Sequence, residues 1–191
     1  MKKPSDVLRC AALVVLSCLA AACDTEPQLT WHPVVLDDAG LEVSFPCDPQ
    51  VANTPVDFGM DGGSVMVNMI GCDAVDSTYA VSHWVLDDAA QADDALAFWQ
   101  AAVLTKLKAV DGQESRSGAP FVPPGAMDLS RSIRATVEGE GPSGWTITTH
   151  GVWFARQEGS KARIYHAVVY APKAQHQQAA TFFKSLVLTA P

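Results

Sequence analysis

Positive charge is scarce in this chain. Its 191 residues carry 13 Lys and Arg against 21 Asp and Glu, a net charge of -8 at pH 7. That balance argues against a nucleic-acid partner and against attraction to anionic headgroups. Cysteine is sparse as well, and none of the five sits in a Cys-x-x-Cys pair, so thioredoxin-like and zinc-ribbon chemistry lack their sets. Gly-x-Ser-x-Gly and Ser-x-x-Lys are both missing. Gly139, Gly141 and Gly144 fall between two expected strands, which is the wrong context for a phosphate-binding glycine loop. The five histidines show no His-x-His, His-x-x-x-His or His-Glu-x-x-His spacing. The acid pairs Asp37-Asp38, Asp87-Asp88 and Asp93-Asp94 lack the rest of a calcium loop. No catalytic signature remains, and no cofactor is expected. The chain also has no internal repeat and no low-complexity tract.

What is present begins at the first residues. Lys2, Lys3 and Arg9 form a basic start, followed by an apolar or small run from Ala11 to Ala22. The run is too short for a permanent membrane span and has the build of a secretory signal. Ala20-Ala21-Ala22 directly before Cys23 resembles the bacterial lipobox, with Ala20 where leucine is usual and Leu19 one place back. This implies lipidation at Cys23 and attachment to a membrane through N-terminal lipid. Cys18 is a second candidate, and a plain signal cut near Ala22 is the alternative. Asp24 resembles an inner-membrane retention signal of some enteric bacteria. Losing residues 1–22 removes three cations and only Asp6, so the remainder is two charges more negative. Attachment then falls to lipid, not surface charge. The expected organisation is a signal at 1–22, a lipidated cysteine and tether at 23–30, and a single domain at 31–191.

Cys10 and Cys18 leave with the signal and Cys23 is taken by lipid, so Cys47 and Cys72 remain as an even pair in an oxidising compartment. They lie near the ends of two expected strands, Leu41–Phe45 and Ser64–Cys72, and a disulfide between them is expected.

Further strands are expected at Trp31–Leu36, Val51–Phe58 and Thr78–Leu86, with a short one at Gln113–Ser117. A helix over Asp93–Ala109 is expected from Leu96, Trp99, Val103 and Leu107 at helical spacing, with Asp93 or Asp94 as its cap and Gly112 at its end. An antiparallel set follows at Asp128–Val137, Trp145–Arg156 and Ala162–Ala171, with turns over 138–144 and 157–160. The stretch Lys161–Tyr170 reads as a strand apolar on both faces, which needs a layer above and below. A helix over Ala174–Lys184 and an extended tail at Ser185–Leu188 complete the chain. Trp84, Trp99, Trp145 and Trp153 are expected in the core.

Leu41-Glu42-Val43-Ser44-Phe45-Pro46 with Pro49 resembles a Phe-x-Val-x-Phe-Pro-x-x-Pro opening. With the order of later elements, Arg163-Ile164-Tyr165 and Phe182-Phe183-Lys184-Ser185-Leu186, the chain from residue 31 on is similar to PsbP/Mog-type domains of small bacterial lipoproteins. The resemblance implies an α+β fold, an antiparallel β-sheet covered by helices as an α/β/α sandwich. Its named members are an accessory subunit of photosystem II and proteins that bind a Ran-type GTPase. The implied role is a non-catalytic, periplasm-facing accessory or protein-binding module whose partner is an envelope protein. The alternative is an envelope protein that binds a small ligand or metal near His150 and His166, which lie on strands expected to be neighbours.

Overall fold

The computed structural model describes residues 28–57, 63–108, 118–141 and 143–189. The expected signal, Cys10, Cys18, Cys23, Gln113–Ser117 and the helix end at Ala109–Gly112 lie outside these residues.

Strands β1 (His32–Leu36) and β2 (Leu41–Phe45) form a hairpin, and β2 also pairs with the last strand, β10 (Val187–Leu188), in a three-stranded sheet. The main sheet has seven strands: β3 (Gln50–Val56), β4 (Val65–Ala74), β5 (Ser77–Leu86), β6 (Ala119–Pro120), β7 (Ile133–Glu140), β8 (Thr146–Glu158) and β9 (Lys161–Ala171). Their spatial order is β3-β4-β5-β9-β8-β7-β6, antiparallel throughout. Helices α1 (Ala92–Lys106) and α2 (His176–Lys184) are the two α-helices among the described residues.

The helix-covered sandwich expected from the resemblance does not hold. Strand accounts for 50% of the structure and helix for 18%. Leu41, Val43 and Phe45 are buried while Glu42 and Ser44 between them are half-buried, so β2 has one apolar face. That face turns onto the main sheet, packing with Tyr79, Val81, Phe154 and Tyr165 and with Phe182 and Phe183 of α2. One side of the main sheet is therefore covered chiefly by a second sheet, with α2 as a short supplement. The other side is covered by α1, whose Leu96 and Trp99 meet Trp84, Trp153 and Ile164. β9 is buried on both faces between these layers.

Cys47 and Cys72 are joined by a disulfide, which ties the exit of β2 to β4. Two local expectations change. Asp93 does not cap α1: its carboxylate accepts from Ser130 Oγ at 2.7 Å and from the Arg131 N–H at 2.8 Å. That draws residues 128–132 into a loop, so β7 starts at Ile133 and not at Asp128. Trp145 is not core but 74% exposed. Its carbonyl accepts the Gly141 N–H at the turn into β8, beyond the packed part of the sheet.

Candidate functional site

His150 and His166 lie on neighbouring strands, but the register sets His150 opposite Val169 and His166 opposite Trp153. Successive side chains alternate across a sheet, so the two imidazoles are on opposite faces and form no common site. His150 Nε2 accepts the Gln175 N–H at 3.1 Å, which places the ring proton on Nδ1, 2.8 Å from Thr136 Oγ1. Burial, then His176 and Arg134, pull its pKa down to about 4. His166 lies flat on Trp153 with ring centroids 4.5 Å apart and meets the Trp99 ring edge-on at 5.3 Å. Burial alone lowers its pKa to about 3, and its Nε2 has no hydrogen-bond partner among the described residues. Both are neutral core rings. Among the described residues no cluster of three or more His, Cys, Asp or Glu is placed to hold a metal ion.

A polar network that the sequence reading missed lies at the end of the sandwich where β1 turns into β2. Arg156 donates to the carbonyls of Gly40 and Thr189, each at 3.0 Å, and to Ala39 at 3.5 Å, and it pairs with Glu158. Arg163 grips the same carboxylate through Nε at 2.8 Å and Nη2 at 3.1 Å. Burial pushes the Glu158 carboxyl up, but hydrogen bonds from Arg163 and Arg156 outweigh it and hold it below the usual range. Arg163 Nη1 approaches His83 Nδ1 at 3.3 Å, and His83 Nε2 faces Asp38 at 3.4 Å. Burial lowers the His83 pKa against the pull of Asp38. Tyr165 donates to the Ala39 carbonyl at 2.6 Å, and burial drives its pKa up. Most of these groups are turned on backbone carbonyls or on each other. The arrangement fastens the small sheet to the large one.

The opposite end of the main sheet holds a cleft of about 550 Å³, within the roughly 300–1,000 Å³ range of small-molecule sites. Val103, Leu107, Ile147, Tyr170, Ala171 and Pro172 supply its largely apolar wall. Asp76, Thr78, Lys106, Lys108 and Glu140 add polar groups. Gly139 permits the wall to close: a Cβ there would lie 2.4 Å from the Leu107 carbonyl oxygen. Leu107 can then accept the Glu140 N–H at 2.6 Å, and Lys108 reaches the Glu140 carboxylate at 2.6 Å. Burial raises the Tyr170 pKa, so its hydroxyl stays protonated. Lys106 and Asp76 make no ion pair with another described residue.

The backbone at this cleft is unusual. Val75, Asp76 and Lys108 are the non-glycine residues with positive φ among the described residues, at 46°, 58° and 45°. Val75 and Asp76 form the two-residue turn between Ala74 and Ser77, whose geometry favours Asn-Gly. Lys108 follows the cap of α1, where glycine is usual. Two of the three, Asp76 and Lys108, line the cleft, and Val75 adjoins it.

The network locks the fold, whereas the cleft has the shape and lining to hold a small amphipathic molecule. No family model, curated protein or solved structure matches this chain.

Proposed function

We propose that this is a lipid-anchored, periplasm-facing envelope protein that acts by binding and not by covalent chemistry, holding a small amphipathic molecule in the cleft at the β5–β9–β8 end of its main sheet. The observation that carries this is the placement of Asp76 and Lys108. Both are held in left-handed backbone, which costs a lysine about 1–2 kcal/mol and an aspartate less, and both present charged side chains to one apolar cleft. Strained residues of this kind gather at ligand sites. The anchor is supported by the apolar run before Cys23, and the exported setting by the Cys47–Cys72 disulfide.

Native mass spectrometry of protein taken gently from membranes should show a bound small molecule. That molecule, added back, should raise the melting temperature of the parent protein but not of Val103→Trp, which fills the cleft. Protein that carries nothing, and melts unchanged across a panel of single-chain amphiphiles, would remove the proposal. Cys23→Ser should leave the membrane fraction.

A second reading, an accessory module that binds an envelope protein, is favoured by β3. Among the described residues this strand pairs on one side only, and six of its seven residues are exposed. Its free edge suits an extended segment of a partner. Crosslinking should then capture one stoichiometric partner that Val51→Lys releases.

A further inference from the structure

We infer that the cleft end of the sandwich is the face that rests on the lipid bilayer, with Trp145 and Val75 as its two apolar contacts. Trp145 is 74% exposed and Val75 46% exposed. They project from the same end of the main sheet. Register places Thr78, just after the Val75 turn, beside Tyr170, and Ala171 beside Thr148, just after Trp145. Between two and three strand spacings separate the Val75 turn from the start of β8, roughly 10–14 Å. An exposed valine in left-handed backbone at a turn tip is costly for folding, because valine fits that conformation poorly. An indole at a sheet end and lysines around it are the side chains that settle at a membrane–water boundary. Lys106, Lys108 and Lys173 all lie exposed at this end.

The choice of a bilayer over a protein partner comes from where the chain enters. Trp31 packs edge-on against Tyr79, beside Thr78, with ring centroids 5.6 Å apart. The first described residues, from Gln28, therefore arrive at the same end as Val75 and Trp145. Residues 24–30 reach at most about 25 Å when extended. A lipid at Cys23 brings this end, and not the Arg156 network, to the membrane. This step rests on the anchor reading. Charge is not the attraction, because Asp73, Asp76, Glu138 and Glu140 offset the lysines at this end. The tether supplies the local concentration, and the apolar tips set the orientation. A ligand leaving the bilayer would meet the cleft first.

The test imposes the anchor so that orientation is read separately from lipidation in the cell. With Cys47 and Cys72 joined, the processed chain from Cys23 has one free thiol, which is coupled to maleimide lipid in phosphatidylcholine vesicles. Brominated phosphatidylcholine should quench tryptophan emission of the parent protein more than that of Trp145→Phe. Val75→Asp should reduce the quenching with Trp145 still in place and near-ultraviolet circular dichroism unchanged. Adding anionic lipid should change none of this. Equal quenching with and without Trp145, no quenching in the parent, or a requirement for anionic lipid would each overturn the proposal. Cleft occupancy, measured with a soluble amphiphile in the absence of vesicles, remains a separate test of ligand binding.

Discussion

Mild acid should destabilise this domain, and His166 should account for about half of the share due to His150 and His166. In the fold their pKa values lie near 4 and 3, against an ordinary 6.5. A histidine whose folded value is lowered takes its proton first in the unfolded chain. Its stabilisation is complete above about pH 6.5 and declines as pH falls toward the folded value. At about pH 5 each ring removes roughly 2 kcal/mol relative to neutrality, or about 4 kcal/mol together. That is a large part of the roughly 5–15 kcal/mol that holds a domain. Glu158, held low by two arginines, adds a loss in the same direction at lower pH, below its ordinary 4.5. His166→Phe keeps a flat ring against Trp153 and removes both the proton site and the unpartnered Nε2. Its stability should fall by about 2 kcal/mol less than the parent's between about pH 7 and pH 5. At neutral pH it should be no less stable, since an unpaired buried ring nitrogen is itself a cost. Urea unfolding followed by far-ultraviolet circular dichroism at a series of pH values measures this. His83 titrates in both proteins and cancels in the comparison. Parallel pH profiles for parent and His166→Phe would show that this ring does not carry the effect.

Three other perturbations separate the lock from the cleft. Gly40→Ala should cost about 3 kcal/mol or more in urea unfolding, because φ is +54° and the new Cβ would lie 2.4 Å from Arg156 Nη1. Replacing Cys47 and Cys72 together by Ser should cost about 3 kcal/mol for the loop of 25 residues, read in the same assay. Lys108→Gly should raise stability by about 1 kcal/mol, because its exposed pair with Glu140 contributes little. The same change should weaken amphiphile binding by thermal shift, and unaltered binding would take Lys108 out of the site.

Much of the main sheet was legible because its strands alternate or run apolar. Its strands β5, β8 and β9 lie within two residues of their expected limits. In the second sheet Leu41–Phe45 came out with its observed ends, but that it separates from the main sheet was not legible. Nothing local in Trp31–Leu36 says that it pairs only with β2, and Val187–Leu188 is too short to announce a partner. The failure over residues 128–132 has the same origin. Leu129, Arg131 and Ile133 alternate like a strand, but Asp93, distant in sequence, takes the backbone and hydroxyl donors of that stretch. Trp145 was misplaced because hydrophobicity gives no information on whether a strand end overhangs its core.

The histidine pairing was recoverable from the sequence, and its loss shows where the useful signal lies. Even a four-residue turn over 157–160, with Arg156 opposite Lys161, would set His150 opposite Ala167 and His166 on the other face. The two-residue turn on Gly159 and Ser160, with Glu158 opposite Lys161, fixes His150 opposite Val169. His166 is three residues from Val169, an odd number, and therefore lies on the other face. The cleft had no such signal, since its walls come from four strands and a helix end brought together by packing. Its one local mark is disagreement: Val75-Asp76 where a turn prefers Asn-Gly, and Lys108 where a helix end prefers glycine. Local preference and final fold agree along most strands, so a cluster of conflicts at one cleft is where selection for something other than stability is best sought. Lys108→Gly tests that inference directly, because it should strengthen the fold and weaken the site in the same molecule.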